Sequence, residues 1–253
     1  MDNTPWYVTF FDEDYLRMYS PFLPPQKSQQ EAQQIIRLLD LAPGSHILDL
    51  CCGQGRHAIA LAHQHYHLTG LDQNTNFLQH ARIEAEKQNV NVQWQQGDMR
   101  SLPFEQQFDA IINIFTSFGY FDTDEDQIVL QQVSKALKPG GLFLLDTTYQ
   151  PRVMRTTAAN GFTRYSDGLL VLEERHIDLL QSRNEVNISL IYPDGRRKSL
   201  QQSIRIYTLT ELARMLSSVG LEVQSYYGNL DGSALTLDSR LVILSKKTDV
   251  ENT

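Results

Sequence analysis

The chain has 253 residues, 41% of them hydrophobic and 21% charged, and a formal net charge of −8. That length suits one principal core with an inserted or appended part, and the acidic balance opposes a nucleic-acid backbone, which Lys and Arg would have to neutralise. The only cysteines, Cys51 and Cys52, are adjacent and so poorly placed for a disulfide; with no secretory start and no run near the ~20 apolar residues of a membrane helix, a cytoplasmic protein is expected.

In chain order, an aromatic leader (Trp6, Tyr7, Phe10, Phe11, Tyr15, Tyr19) carries a short helix, Glu13 to Tyr19, that can bury its rings against the core. Ala32, Ile35, Ile36 and Leu39 fall at helical spacing between Gln26 and Leu41, and Pro43 with Gly44 stops the run. Strands and helices then alternate: strand His46 to Leu50, helix Gly55 to Gln64, strand His67 to Leu71, helix Asn74 to Asn89 and strand Val92 to Gln95. Strand Phe108 to Ile114, helix Asp124 to Leu137 and strand Gly141 to Asp146 continue the series. Such alternation predicts a doubly wound α/β fold with a mostly parallel sheet.

Three β-rich runs follow, at Leu169 to Ile177, Glu185 to Tyr192 and Ser199 to Tyr207, and predict an inserted antiparallel meander. The basic run Arg196, Arg197, Lys198, after Pro193-Asp194-Gly195, is expected to be the solvated mouth of a hairpin. Thr208 or Thr210 can cap a helix through Ser218, and strands Leu221 to Tyr227 and Leu241 to Ser245 bring the main sheet to seven. The expected organisation is a lid segment at 1–25, a cofactor-binding α/β core at 26–148, an insertion at 149–207 for the acceptor or a dimer contact, and completion of the core at 208–253.

The informative stretch is Ile47-Leu48-Asp49-Leu50-Cys51-Cys52-Gly53-Gln54-Gly55-Arg56-His57, a strand running through a glycine turn into a helix. Such a turn brings backbone and helix-start N–H groups close to a ligand. Asp72 ends the second strand and Asp98 follows the third, so with Asp49 and Gly53 they should face one crevice beyond the strand ends. Gly53 to Ala58 also satisfies G-x-G-x-x-G/A, which keeps an NAD-dependent enzyme in view. An acid-lined pocket is the better companion for a cationic sulfonium that also carries an ammonium group.

Several motifs in order, LDLCCGQGRHAIALA, TGLDQN, QGDMRSLPF, FDAIINIFTSFGYF and LKPGGLFLLDT, closely resemble the class I S-adenosylmethionine-dependent methyltransferases over at least Ile47 to Thr147. The remainder, with WYVTFFDEDYLRMY before and YGNLDGSALTLDSRLVIL after, is similar to members acting on small molecules. The resemblance implies S-adenosylmethionine as methyl donor and S-adenosylhomocysteine as product. It implies that Asp49 orients the methionine end, Gly53 and Gly55 give it room, and Asp72 binds the ribose hydroxyls. Gln73 would lie against the adenine, Asp98 and the Met99 N–H would meet its edge, and the backbone at Asn113 and the side chain of Phe115 would border the methionine moiety. Cys51 stands where that family usually has glycine.

A sulfonium is already a strong methyl donor, so alignment and desolvation can carry the displacement with a general base optional. His176 is the one side chain considered for such a base, against the reading that a lone strand histidine is structural. His63, His65 and His67 straddle a helix end and a strand start, so no metal site is expected. In related enzymes a leader of this kind folds over the cofactor, so Tyr7, Phe11, Tyr15 and Tyr19 are lid or substrate residues, and Tyr149, Arg205 and Tyr207 are further candidates for the acceptor pocket. The expected partner is a small-molecule acceptor for N- or O-methylation, without nucleic acid or membrane, by a monomer or homodimer. The alternatives are a non-catalytic cofactor-binding protein and a nucleic-acid methyltransferase. Asn113-Ile114-Phe115-Thr116 lacks the Asn/Asp-Pro-Pro-aromatic signature of the base-modifying amino methyltransferases, and no cysteine outside the glycine turn remains as a nucleophile.

Overall fold

The computed structural model describes residues 4–156 and 158–248; the outermost parts of the two terminal segments, 1–3 and 249–253, lie outside the described residues. The leader forms α1 (Trp6–Thr9) and α2 (Glu13–Tyr19), and α2 starts where the Asp12 carboxylate accepts from the Asp14 and Tyr15 N–H groups. Helix α3 (Pro25–Leu39) buries the stripe Ala32, Ile35 and Leu39 and stops at Asp40, whose left-handed backbone ends the spiral.

The alternating series is β1 (His46–Leu50), α4 (Arg56–Ala62), β2 (His67–Asp72), α5 (Thr75–Lys87), β3 (Val92–Gln96), β4 (Phe108–Asn113), α6 (Thr123–Ala136) and β5 (Leu137–Thr147). After it come α7 (Gln150–Thr156), strands β6 (Asn160–Arg164), β7 (Leu170–Asp178), β8 (Arg183–Ile191) and β9 (Arg197–Arg205), then α8 (Leu209–Ser217), β10 (Leu221–Tyr227) and β11 (Leu241–Lys247). The seven-stranded sheet runs β10-β11-β5-β4-β1-β2-β3 and is parallel except at β11, which pairs antiparallel with β5 and β10. The doubly wound fold expected from the sequence is therefore present. The order in which the chain adds strands reverses between the parallel neighbours β1 and β4, and a crevice opens beyond their carboxyl ends.

Side-chain alternation along β1 sets what faces what. Leu48 and Leu50 pack on the face covered by α6 and α8, whereas Ile47 and Asp49 point to the face covered by α3 and α4. The insertion departs from expectation in two ways. It is a four-stranded antiparallel sheet, β6-β7-β8-β9, not three runs, and α7 precedes it. Its inner face shares a core with the leader, in which Phe10 and Met18 meet Leu169, Val171, Val186, Ile188, Leu190 and Leu200. Among the described residues no helix is long and apolar enough to cross a membrane.

Candidate active site

The turn after β1 uses three left-handed positions, Cys51 (φ 61°), Gly53 (φ 55°) and Gly55 (φ 75°). Cys51 occupies without glycine a conformation that costs an L-residue ~1–2 kcal/mol, and its Sγ contacts the Met99 sulfur at 3.4 Å. Burial pushes both cysteine thiols well above their ordinary value, so they stay protonated packing groups.

Asp49 is 2% exposed and its Oδ2 accepts from the Ala58 N–H in the first turn of α4 at 3.2 Å. Burial raises its carboxyl to about 7; Arg56 and the Ala58 N–H oppose the rise, and Asp72 adds to it. Asp72 ends β2, where one oxygen accepts from the Gly53 N–H at 2.8 Å and the other from the Asn74 N–H at 2.8 Å. The Gln73 N–H also acts on it, and of the about four acceptor positions of a carboxylate some capacity for a hydroxyl donor is left. Asp98 is held by Arg100 through Nε and Nη2, and Arg100 reaches on to Glu125 at 2.5 Å while lying over the Phe121 ring. Burial raises the Asp98 carboxyl, but Arg100 more than reverses this, leaving it below its ordinary value.

These groups line a cavity of about 490 Å³, within the range of small-molecule sites. The structure brings Asp49, Cys51, Gly53, Asp72, Gln73, Asp98, Met99 and Phe115 to its wall, together with Tyr7, Phe11, Tyr15 and Tyr19 from the leader. The leader is fastened from both sides. Gln73 Nε2 donates to the Tyr7 carbonyl at 2.9 Å and Asn74 Nδ2 to that of Phe11 at 2.6 Å. On the insertion side Lys198 binds Asp12 and Asp14, the Tyr192 hydroxyl donates to Asp14 at 2.7 Å, and Arg17 pairs with Asp167 at 2.6 Å.

Six expected site residues stand elsewhere. Gly55 does not line the cavity; a Cβ there would lie 2.3 Å from the Trp94 ring, so its lack of a side chain makes room for tryptophan. Asn113 is buried beneath the wall with Nδ2 donating to the Leu50 carbonyl. His176 is exposed on the outer face of β7, because alternation turns Glu173, Arg175 and Ile177 inward and His176 out. Tyr207 is buried, with its hydroxyl on Asp126 at 2.7 Å, and Arg205 lies over that ring and beside Glu211. Tyr149 bridges to Tyr207 in the same layer, so none of these three reaches the cavity. Nor is Lys198 part of a solvated hairpin mouth, since it clasps the leader.

A network the sequence reading missed adjoins the methionine end expected at Asp49. Glu31 on α3 accepts from Arg56 and lies 2.9 Å from His57 Nε2; Arg56 also lies over the Phe115 ring at 5.3 Å. Burial raises the Glu31 carboxyl, but His57 and Arg56 outweigh it and bring it down to about 2. Burial also lowers His57, aided by Arg56 and opposed by Glu31, which favours a neutral ring. The signal was present in Arg56-His57 at the helix start. Its partner sits 25 residues away on α3, and no local pattern links them.

Residues 47–141 match the family model described as a methyltransferase domain. The chain is 26% identical to the cypemycin N-terminal methyltransferase of a Streptomyces species, over 81% of this chain and 84% of that protein. It is 26% identical to the dTDP-3-amino-3,4,6-trideoxy-alpha-D-glucopyranose N,N-dimethyltransferase of Streptomyces venezuelae, over 76% and 81%. In fold it is similar to an S-adenosylmethionine-dependent methyltransferase of Clostridium acetobutylicum ATCC 824, with TM-score 0.79, 20% identity, and coverage of 96% of this chain and 99% of that one. A sheet whose strand order reverses at an acid-lined crevice, carrying this match, defines an S-adenosylmethionine-binding α/β fold. Residues 47–141 carry a methyltransferase domain, and the chain as a whole is similar to S-adenosylmethionine-dependent methyltransferases of the class I fold.

Proposed function

We propose that the enzyme N-methylates a small-molecule amine enclosed between the crevice and the leader. The observation that carries this reading is the pairing of acids with rings in one cavity: Asp49 and Asp72 lie on one wall, and Tyr15, Tyr19, Phe115 and Tyr120 border the same space. Carboxylates and aromatic faces both attract cations, which suits an aminium acceptor and a sulfonium donor alike. One Streptomyces relative is named an N-terminal methyltransferase and the other an N,N-dimethyltransferase of an amino sugar nucleotide, which supports the same choice.

S-adenosylmethionine supplies an activated methyl group on sulfur. The residues fit that cofactor: Asp49 for its ammonium, Asp72 with its remaining acceptor capacity for the ribose, and Gln73, Asp98 and Met99 for the adenine. The chain's own contribution is alignment and exclusion of water by the leader; the acceptor amine must shed its proton before it attacks. Under this proposal residues 26–148 and 208–253 hold the cofactor, the leader at 1–25 is the lid, and the insertion at 149–207 completes the acceptor chamber.

Calorimetry with S-adenosylmethionine, S-adenosylhomocysteine and NAD tests the cofactor first; the first two should bind and NAD should not. Asp72→Ala should weaken both by about tenfold to a hundredfold, since hydrogen bonds to a charged group are worth ~1.5–3 kcal/mol. Mass spectrometry after incubation with amines, phenols and carboxylic acids should show methylated amine alone. Transfer only to oxygen would overturn the amine assignment, and binding without transfer to any class would leave a cofactor-binding protein.

A further inference from the structure

Where β4 leaves the sheet, Phe115 and Thr116 stand one after the other in the left-handed region, at φ 68° and 65°. One is bulky and the other β-branched, and such strain persists only where the surroundings over-determine it. Here they do. Asp146, near the end of β5, accepts the Phe115 N–H on Oδ2 at 3.0 Å and the Thr116 N–H on its backbone oxygen at 3.0 Å. Arg240, immediately before β11, donates from Nε to Asp146 Oδ1 at 2.6 Å and from Nη2 to Thr116 Oγ1 at 2.9 Å. The Thr148 hydroxyl meets Thr116 Oγ1 from the other side at 3.1 Å.

Neither Asp146 nor Arg240 lines the cavity, whereas Phe115 does, with the Arg56 guanidinium over its ring and the Tyr19 ring perpendicular to it, centroids 6.2 Å apart. We propose that Asp146 and Arg240 are positioning residues that lock the Phe115–Thr116 turn and so hold the Phe115 ring between Arg56 and the leader at the methionine end of the cofactor site. The inference rests on the methyl-transfer reading for the identity of the ligand. Released from the lock, both residues relax to ordinary φ, and the ring that joins α4 to the lid swings away. Arg240 belongs to the closing motif YGNLDGSALTLDSRLVIL, to which the cofactor contacts assign no task.

The test uses the full chain, S-adenosylhomocysteine as probe, calorimetry and thermal melting. Arg240→Ala and Asp146→Asn should each weaken binding about tenfold, and Thr116→Gly added to Arg240→Ala should recover most of that loss, because glycine adopts positive φ freely. A variant that stays folded and binds as tightly as the unaltered chain overturns the lock, as does a loss that glycine leaves unrepaired. If the alanine variant fails to fold, amide exchange in the unaltered protein decides: slow exchange at Phe115 and Thr116 supports the lock and free exchange overturns it. Unaltered protein that ignores S-adenosylhomocysteine would refute the cofactor reading instead, and the exchange measurement would still judge the lock.

Discussion

Acidifying the solution should loosen the cofactor through Asp49. Its carboxyl is buried beside α4, and burial raises it to about 7, against the pull of Arg56 and the Ala58 N–H. A ligand presenting an ammonium and a sulfonium prefers the ionised carboxylate, so a proton must leave before it binds well. With that value about nine-tenths of the sites are ionised near pH 8 and about one-tenth near pH 6, which predicts about tenfold weaker binding, or ~1.4 kcal/mol.

Stability of the ligand-free protein moves the other way. A carboxyl raised in the folded state holds its proton more tightly than in the unfolded chain, so its contribution is full at low pH, is lost as pH rises from about 4 to about 7, and is flat above. The gain in melting temperature on adding cofactor should therefore grow from about pH 6 to about pH 8. Calorimetry near pH 6 in buffers of different ionisation heat should show nearly one proton released on binding, and Asp49→Asn should abolish that release. Asp126, raised to about 7 by burial, titrates in the same window, but it sits beneath Tyr207 and away from the cavity, so the Asp49→Asn comparison isolates the site. Constant affinity from pH 6 to pH 8, or an unchanged slope in Asp49→Asn, would refute the reasoning.

Gly55→Ala should destabilise the fold by ~2–4 kcal/mol, the sum of a left-handed penalty and a Cβ forced to 2.3 Å from Trp94. Denaturant melts should show the loss and Trp94→Leu in the same background should recover part of it; a change within ~0.5 kcal/mol would disprove the packing role. Lys198→Ala should cost no more than ~1 kcal/mol globally, because its side chain is about a third exposed. Limited proteolysis should nonetheless cut the leader several-fold faster. Equal cutting would mean that Phe10 and Met18 hold the leader without the clasp.

The βα series was legible because helical and strand periods differ so strongly along it. The helix start was legible as well, though not which threonine caps it: Thr208, with Glu211 three positions on, closes the capping box and Thr210 does not. Strand β6 escaped because Asn160–Arg164 is an edge whose one large apolar residue, Phe162, faces solvent, leaving no alternation to detect. Helix α7 buries only Val153, too little for a periodic signal. Asp49 and Asp72 could be placed because their geometry is local to a strand and its turn. Tyr207 was misplaced because an aromatic at a strand end reads alike whether it meets a ligand or, as here, a buried carboxylate from another helix.

Asp49 and Asp72 sit at or near the ends of parallel strands, whereas the cavity above them is closed by segments far apart in sequence. α2 meets the inserted sheet through Lys198 and Tyr192, and Phe10 and Met18 complete the core beneath β7, β8 and β9. Leader and insertion therefore form one folded unit, and a change of acceptor that reshapes the inserted sheet must also satisfy Phe10 and Met18. A graft of the insertion alone from a related enzyme would leave those two side chains facing an unmatched surface. Selectivity on this scaffold should transfer only when both segments move together, while Asp49, Asp72 and the glycine turn keep their places beneath them.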